Sequence, residues 1–270
     1  MTMMGQPRAS YLGMSPFDDF VSEHRGTPRR GVFGAVVHEM GRRIVAGEFA
    51  EESTLPTEDA LLARLRVSRS VFREVMKTLR AKGLVEIRTR TGTRVRSRSH
   101  WHLTDPDVMV WHYETGPSPA FLHDLMDLRR VLEPAAASRA ARHATPAEID
   151  AIRTAYAAMC DTVGLLREHA RADQAFHAGI FAASHNLILG RSVDLIAIGI
   201  YGNTVMAPDT AVDGQRQSLP FHEAVLRAIA TRDPAGAERA MHALLDDWRP
   251  SPWRVGRERI PARPLAAHES

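Results

Sequence analysis

Apolar residues follow a helical spacing from residue 32 to about residue 82, which predicts three successive helices. The first helix has Val32, Val36 and Met40 on one face. Thr57 and Ser68 are suited to cap the second and third helices, because their side-chain oxygens can accept hydrogen bonds from the free backbone N–H groups of a first turn. The buried faces of these two helices are predicted to be Leu61, Leu62 and Leu65, and Val71, Val75, Met76 and Leu79.

Two short strand-like segments follow, 84–88 and 93–96, on either side of a turn at 89–92. Three helices and a two-stranded ribbon predict a winged helix-turn-helix, whose third helix enters the major groove of DNA. Charge supports this interpretation, since residues 29–100 carry 16 basic and 8 acidic side chains whereas residues 101–270 have a net charge of −4. The alternative is that the arginines only solvate a surface, which explains single arginines but not the whole arrangement.

From residue 121 to about residue 248 the chain is a series of Ala-rich amphipathic segments separated by four breaks, at 145–146, 184–186, 207–209 and 232–234. This pattern predicts an all-helical bundle, so the whole fold is predicted to be mainly α. We divide the chain into a flexible N-terminal arm (1–30), the winged helix-turn-helix domain (31–97), a linker with a short helix (98–120), the helical effector-binding and dimerisation domain (121–250) and a flexible tail (251–270). The short helix contains Trp111, and we expect it to pack on the second domain.

Polar side chains interrupt the buried faces of the bundle. Arg129 lies on the same predicted face as Leu125 and Leu132, and a buried guanidinium needs an anionic partner. Glu133, four residues later, is one candidate partner. The carboxylate of a bound ligand is the other, and the sequence leaves both open.

Three further polar residues have the spacing of metal ligands. Asp173 and His177 lie one turn apart on the inner face of a middle helix, and His222 lies on the inner face of a later helix. A single inward histidine is more often a core residue, but three convergent nitrogen and oxygen donors predict a divalent metal ion. Zinc is the favoured ion, and nickel or manganese suits the same ligands. His242 is not counted, because it lies off the buried stripe formed by Met241, Leu244, Leu245 and Trp248.

The segments 55–58 (Leu-Pro-Thr-Glu), 67–75 (Val-Ser-Arg-Ser-Val-Phe-Arg-Glu-Val) and 92–95 (Gly-Thr-Arg-Val) resemble the DNA-binding domain of GntR-type transcription regulators. Asp59 and Arg90 depart from the family pattern, since some relatives have an arginine at the first position and many have a glycine at the second. The operator sequence is therefore not transferable from a relative. The resemblance implies that Arg69, Ser70, Val71, Arg73 and Gly92 face DNA. The basic charge of the wing adds Arg88 and Arg90 to the predicted DNA-binding residues.

The segments around Arg129, Asp173 and His222 are similar to the FCD effector-binding domain of the FadR subfamily of GntR regulators. A further histidine that is frequent in the family is replaced by Leu244, which leaves three protein ligands for the metal. The resemblance implies a homodimeric regulator, usually a repressor, that binds a palindromic operator. Its effector would be a small carboxylate bound at the metal and Arg129, and residues 101–111 and 241–246 resemble regulators of galactonate and other sugar acids.

The alternative function is a metal-dependent hydrolase or lyase acting on a small carboxylate, because a metal held by three side chains can activate water. We expect no enzyme activity, since the sequence has no GxSxG, HExxH or phosphate-binding loop. A single cysteine, Cys160, excludes an intramolecular disulfide. The apolar run near residues 195–201 is too short to cross a membrane. The expected partners are thus double-stranded DNA, the effector and a second copy of the chain, in the cytoplasm and without a membrane.

Overall fold

The computed structural model describes residue 27 and residues 31–88, 92–206 and 208–247, without the side chains of residues 201–211. The chain divides into two compact units, Met1–Thr115 and Gly116–Ser270. Arg90, the predicted C-terminal tail and the predicted N-terminal arm apart from Thr27 lie outside the described residues.

The first unit is the predicted winged helix-turn-helix. Thr57 caps the helix Glu58–Leu65, where its Oγ1 accepts a hydrogen bond from the Ala60 N–H at 3.3 Å. Ser68 caps the helix Arg69–Ala81, where its Oγ accepts a hydrogen bond from the Val71 N–H at 3.4 Å. Both predicted caps are therefore present. The elements are α1 (Gly31–Val45), α2 (Glu58–Leu65), α3 (Arg69–Ala81), β1 (Val85–Arg88), β2 (Gly92–Val95), a 3-10 turn (Arg98–His100) and α4 (Pro106–Glu114).

The wing is an antiparallel pair in which Val85 faces Val95 and Arg88 faces Gly92. The turn before β1 depends on Gly83, whose φ of +79° is in the left-handed region that glycine adopts without strain. A side chain at this position would also collide with the backbone oxygen of His100. The glycine therefore fixes how the ribbon leaves α3.

The buried face of α3 differs by one residue from the prediction. Phe72 is 5% exposed and lies in the core with Val75 and Leu79, whereas Val71 is half-buried at the edge of this core. The face that includes Phe72 follows the i, i+3, i+4, i+7 spacing of a helix, which explains why Phe72 takes the central place.

The short helix α4 belongs to the first unit and packs on α1 there, whereas we expected it to pack on the second domain. The Trp111 ring lies against Gly41 of α1, where a side chain would overlap the ring. The Trp111 Nε1–H donates to Nδ1 of His38 at 3.0 Å. Lys82, which follows α3, also places its Nζ 2.8 Å from Asp105 and 2.7 Å from Asp107 at the start of α4. A large aromatic residue in the sequence predicts that its ring is buried, but it does not identify the helix against which the ring packs.

The second unit is all helical within the described residues, as predicted. The helix Pro119–His143 packs against the helices Leu166–Ala183, Pro208–Ala230 and Pro234–Asp247. The helix Leu166–Ala183 also packs against Pro146–Asp161 and Val193–Met206. The core between them includes Phe176, Ile180 and Ile229. None of the helices that the structure describes is long and apolar enough to span a bilayer. The elements are α5 (Pro119–His143), α6 (Pro146–Asp161), α7 (Leu166–Ala183), α8 (Leu187–Arg191), α9 (Val193–Met206), α10 (Pro208–Ala230) and α11 (Pro234–Asp247).

Candidate metal centre and DNA-binding face

The three predicted metal ligands meet inside the second unit. Asp173 and His177 lie one turn apart on α7, and His222 lies on α10. Oδ1 of Asp173 is 3.3 Å from Nε2 of His177 and 3.3 Å from Nε2 of His222. One donor atom of each residue lies within 4.8 Å of the other two. Both imidazoles are buried, so these donors form a compact group inside the bundle.

An acceptor oxygen lies close to the second ring nitrogen of each imidazole. Nδ1 of His177 lies 2.5 Å from Oε2 of Glu133, and Nδ1 of His222 lies 2.9 Å from the backbone oxygen of Ser218. An ionised carboxylate and a carbonyl oxygen can only accept hydrogen bonds, so each Nδ1 carries the proton. In a neutral ring, the lone pair of each Nε2 then points towards the carboxylate of Asp173. This is the arrangement of a histidine that ligates a metal and is held from behind by an acceptor.

Strong electrostatic coupling accompanies this geometry. Burial alone would raise the pKa of Glu133, but the charges of Arg129 and His177 lower it to about 2. Burial alone would lower the pKa of His177, but Glu133 and Asp173 raise it to about 9. Burial also opposes ionisation of Asp173, yet hydrogen bonds from His177 and His222 hold its pKa well below the usual value. The cluster therefore attracts a cation to the space between Nε2 and the carboxylate, either a proton or a metal ion.

Arg129 forms the salt bridge that the sequence left open as one alternative. Its Nε donates to Oε1 of Glu133 at 2.6 Å, and both residues are buried. Glu133 thus links the guanidinium to the imidazole of His177. When both histidines are neutral, the two carboxylates of Glu133 and Asp173 and the single guanidinium of Arg129 give the cluster a net negative charge. A bound dication would make this net charge positive.

Sequence reasoning missed two residues of this region, Glu133 and His169, and one buried amide on the helix that carries His222. Glu133 was considered only as a partner of Arg129, although it also holds His177. His169 is buried, which lowers its pKa, and it extends the four-residue spacing of Asp173 and His177 by one turn, a signal that was available in the sequence. Gln215 is 5% exposed on α10, the helix of His222, and its Oε1 accepts a hydrogen bond from the backbone N–H of Gly164 at 2.8 Å.

The predicted DNA-binding residues lie on α3 and the wing. The Arg69 and Arg73 side chains on the first turns of α3 are 63% and 68% exposed, and Arg88 on β1 is 51% exposed. Ser70 is exposed and its Oγ lies 2.9 Å from Oγ of Ser68. Val71 is half-buried, Gly92 begins β2 at the end of the turn, and Arg90 lies outside the described residues. Exposed arginines on the first turns of such a helix have the placement that major-groove contact requires.

Comparison with known proteins agrees with both units. Residues 34–95 match the family described as bacterial regulatory proteins, gntR family, and residues 124–247 match the FCD domain. The galactonate operon transcriptional repressor of Escherichia coli (strain K12) is 29% identical over 213 residues, which cover 78% of this chain and 92% of that protein. The uncharacterized HTH-type transcriptional regulator YieP of the same strain is 31% identical over 218 residues, covering 78% and 90%.

The fold is also shared with a solved structure. Lar, described as controlling the expression of the Listeria monocytogenes agr system, has 18% sequence identity and a TM-score of 0.58, covering 81% of this chain and 94% of that one. The matching families and relatives are transcription regulators, which excludes the alternative of a hydrolase or lyase. The chain therefore belongs to the GntR family of bacterial transcription regulators, in the FadR-type group that joins a winged helix-turn-helix to an FCD domain.

Proposed function

We propose that this regulator is a homodimeric repressor controlled by a small carboxylate that binds at a metal ion in the FCD domain. The observation that supports the metal is the convergence of Nε2 of His177 and Nε2 of His222 on Oδ1 of Asp173, at 3.3 Å each. Two neutral imidazoles held by their Nδ1 protons would direct lone pairs at a carboxylate, which is unfavourable without a cation between them. Zinc suits two imidazoles and one carboxylate, with nickel and manganese as alternatives.

The metal would also allow an anion to bind in this part of the bundle. Without a dication, Arg129 and a protonated His177 only balance the buried carboxylates of Glu133 and Asp173, so the cluster has no excess positive charge to attract an anion. A bound dication would supply a Lewis acid for carboxylate and hydroxyl oxygens, and Arg129, which Glu133 links to His177, would supply a guanidinium. The proposed effector class is therefore a sugar acid or hydroxy acid. A relative of this chain, the galactonate operon transcriptional repressor, is named for an operon of a sugar acid, which supports this class.

Two copies of the winged helix-turn-helix would read a palindromic operator in cytoplasmic DNA. Dimeric readers of this kind place their recognition helices about 34 Å apart, so a rotation of the FCD domains would misplace one helix. Light scattering measures the oligomeric state, and gel shifts with the protein's own promoter region at low salt measure operator binding. A monomer, or gel shifts that stay negative, would contradict this part of the proposal.

Elemental analysis of protein purified without chelator tests the metal site. We expect about one metal ion per chain in the wild type and very little in the His177→Ala variant. His185→Ala is the matched control, because His185 is an exposed histidine paired with Glu148 on the surface of the same unit. Full occupancy in His177→Ala, or equal loss in His185→Ala, would refute the ligand assignment. Absence of metal from the wild type, together with a thermal stability that chelator leaves unchanged, would favour a purely structural cluster of polar side chains.

A further inference from the structure

Two carboxylates at the start of α2 face the first turns of the recognition helix α3. Oδ1 of Asp59 lies 2.7 Å from Nη2 of Arg69, and Oε1 of Glu58 lies 3.4 Å from Nη1 of the same guanidinium. The same Glu58 oxygen is 4.0 Å from Nε of Arg73. The two arginines predicted to face DNA are thus held on one side by two acids.

Fold stability does not account for these contacts. The side chains of Asp59 and Arg69 are 78% and 63% exposed, and exposed ion pairs contribute very little to folding. The helices themselves are fixed by their buried faces, with Leu61 of α2 and Val75 of α3 in the core. The relative positions of the acids and the arginine are therefore set by the core, and the ion pairs then select one orientation of the guanidinium.

The orientation has a chemical consequence at DNA. A guanidinium carries five N–H donors in a rigid plane, so the two hydrogen bonds that Arg69 donates to Glu58 and Asp59 leave three donors for another partner. Guanine presents two acceptors, O6 and N7, on its major-groove edge, and a fixed guanidinium plane suits this pair. A phosphate needs no fixed plane, and it is repelled by the charges of Asp59 and Glu58.

We propose that Asp59, assisted by Glu58, is a positioning residue that sets base specificity. It holds the Arg69 guanidinium for a guanine edge and weakens the attraction of the same arginine for phosphates. The inference rests on the proposed contact of Arg69 with DNA. It gives the carboxylate two effects of opposite sign: it strengthens discrimination between sequences, and it weakens binding to DNA of any sequence.

The experiment uses the full-length chain and a library of randomised DNA duplexes, from which the wild type selects its preferred site. Fluorescence anisotropy then measures the affinity of each variant for that site, for the site with its guanines changed singly, and for an unrelated duplex, at several salt concentrations. The test variants are Asp59→Asn and Arg69→Ala. The matched control is Glu74→Gln, which removes one exposed carboxylate of α3 that pairs with Lys77. A circular dichroism spectrum verifies that each variant is folded.

For Asp59→Asn we expect tighter binding to the unrelated duplex. We also expect the preference for one guanine, measured as the ratio of affinities for the selected site and for the site with that guanine changed, to fall roughly two- to fivefold. This is the range that an exposed ion pair can supply. That guanine should be the one whose preference Arg69→Ala removes, and Glu74→Gln should leave it unchanged. An equal gain of affinity for all duplexes in Asp59→Asn would overturn the inference, because it would show general repulsion only. If Arg69→Ala leaves every affinity unchanged, the proposed DNA contact of Arg69 fails instead, and the inference fails with it.

Discussion

The Glu133→Gln substitution tests the internal support of the candidate metal centre. Glu133 is fully buried, and its two oxygens contact Nε of Arg129 at 2.6 Å and Nδ1 of His177 at 2.5 Å. In the variant, the amide oxygen can still accept from Arg129, which directs the amide NH₂ group at His177. A donor at that position requires Nδ1 to accept, so the ring proton moves to Nε2. The nitrogen predicted to bind metal then has no free lone pair.

The size of the effect follows from the role of the carboxylate. Loss of a carboxylate that holds a metal-ligating histidine typically weakens metal binding 10- to 100-fold, which corresponds to about 1.4–2.7 kcal/mol. The substitution also leaves the buried charge of Arg129 facing a neutral amide. Removing one partner of a buried ion pair costs about 3 kcal/mol or more, so the free energy of unfolding falls as well. A shortfall in metal affinity therefore has to be measured on protein that is still folded.

The assay is a zinc titration of chelator-treated protein against a competing fluorescent indicator. Circular dichroism at the same temperature shows the folded fraction. Glu148→Gln is the matched control, because Glu148 contacts His185 at 3.0 Å on the protein surface, which is the same pairing outside the candidate site. An unchanged zinc affinity in folded Glu133→Gln, or an equal loss in Glu148→Gln, would refute the role assigned to Glu133.

Three further predictions address the other parts of the account. Arg73→Ala should weaken DNA binding and lower the slope of log affinity against log salt by about one; an unchanged slope in anisotropy titrations would exclude a phosphate contact. Lys82→Met should lower the free energy of unfolding of the first unit by about 3 kcal/mol in urea titrations, because Asp107 is 2% exposed and loses its cationic partner; a loss below about 1 kcal/mol would contradict this. Arg129→Lys should weaken carboxylate binding in calorimetry and keep the metal content, since lysine retains the charge but lacks the planar fork; full affinity would remove Arg129 from the proposed effector site.

Local signals in the sequence were sufficient for the elements. The caps Thr57 and Ser68 and the helical spacing of the apolar residues depend on neighbours in the chain, so the winged helix-turn-helix could be derived directly. The same spacing placed Asp173, His177 and His222 on the inner faces of their helices. Because packed helices bring their inner faces together, the convergence of these three residues could also be predicted.

Contacts between distant elements could not be derived in this way. The pair between Glu133 and His177 joins α5 to α7, and neither residue predicts the other from its own helix. Trp111 indicated burial, but its partner Gly41 lies on α1, where a glycine carries no apolar signal. The ion pairs of Arg69 with Asp59 likewise depend on how α2 crosses α3, which is a property of the core rather than of either segment.

The most direct test of the proposed regulation is the thermal stability of the full-length protein with a panel of hydroxy acids, aldonates and dicarboxylates, measured with zinc and again after chelation. A ligand that binds the folded state raises the unfolding temperature by mass action. We predict that at least one of these acids raises it in the presence of zinc and that chelation abolishes the rise. Stabilisation that persists after chelation, or zinc binding without a response to any acid, would contradict a metal-dependent carboxylate site.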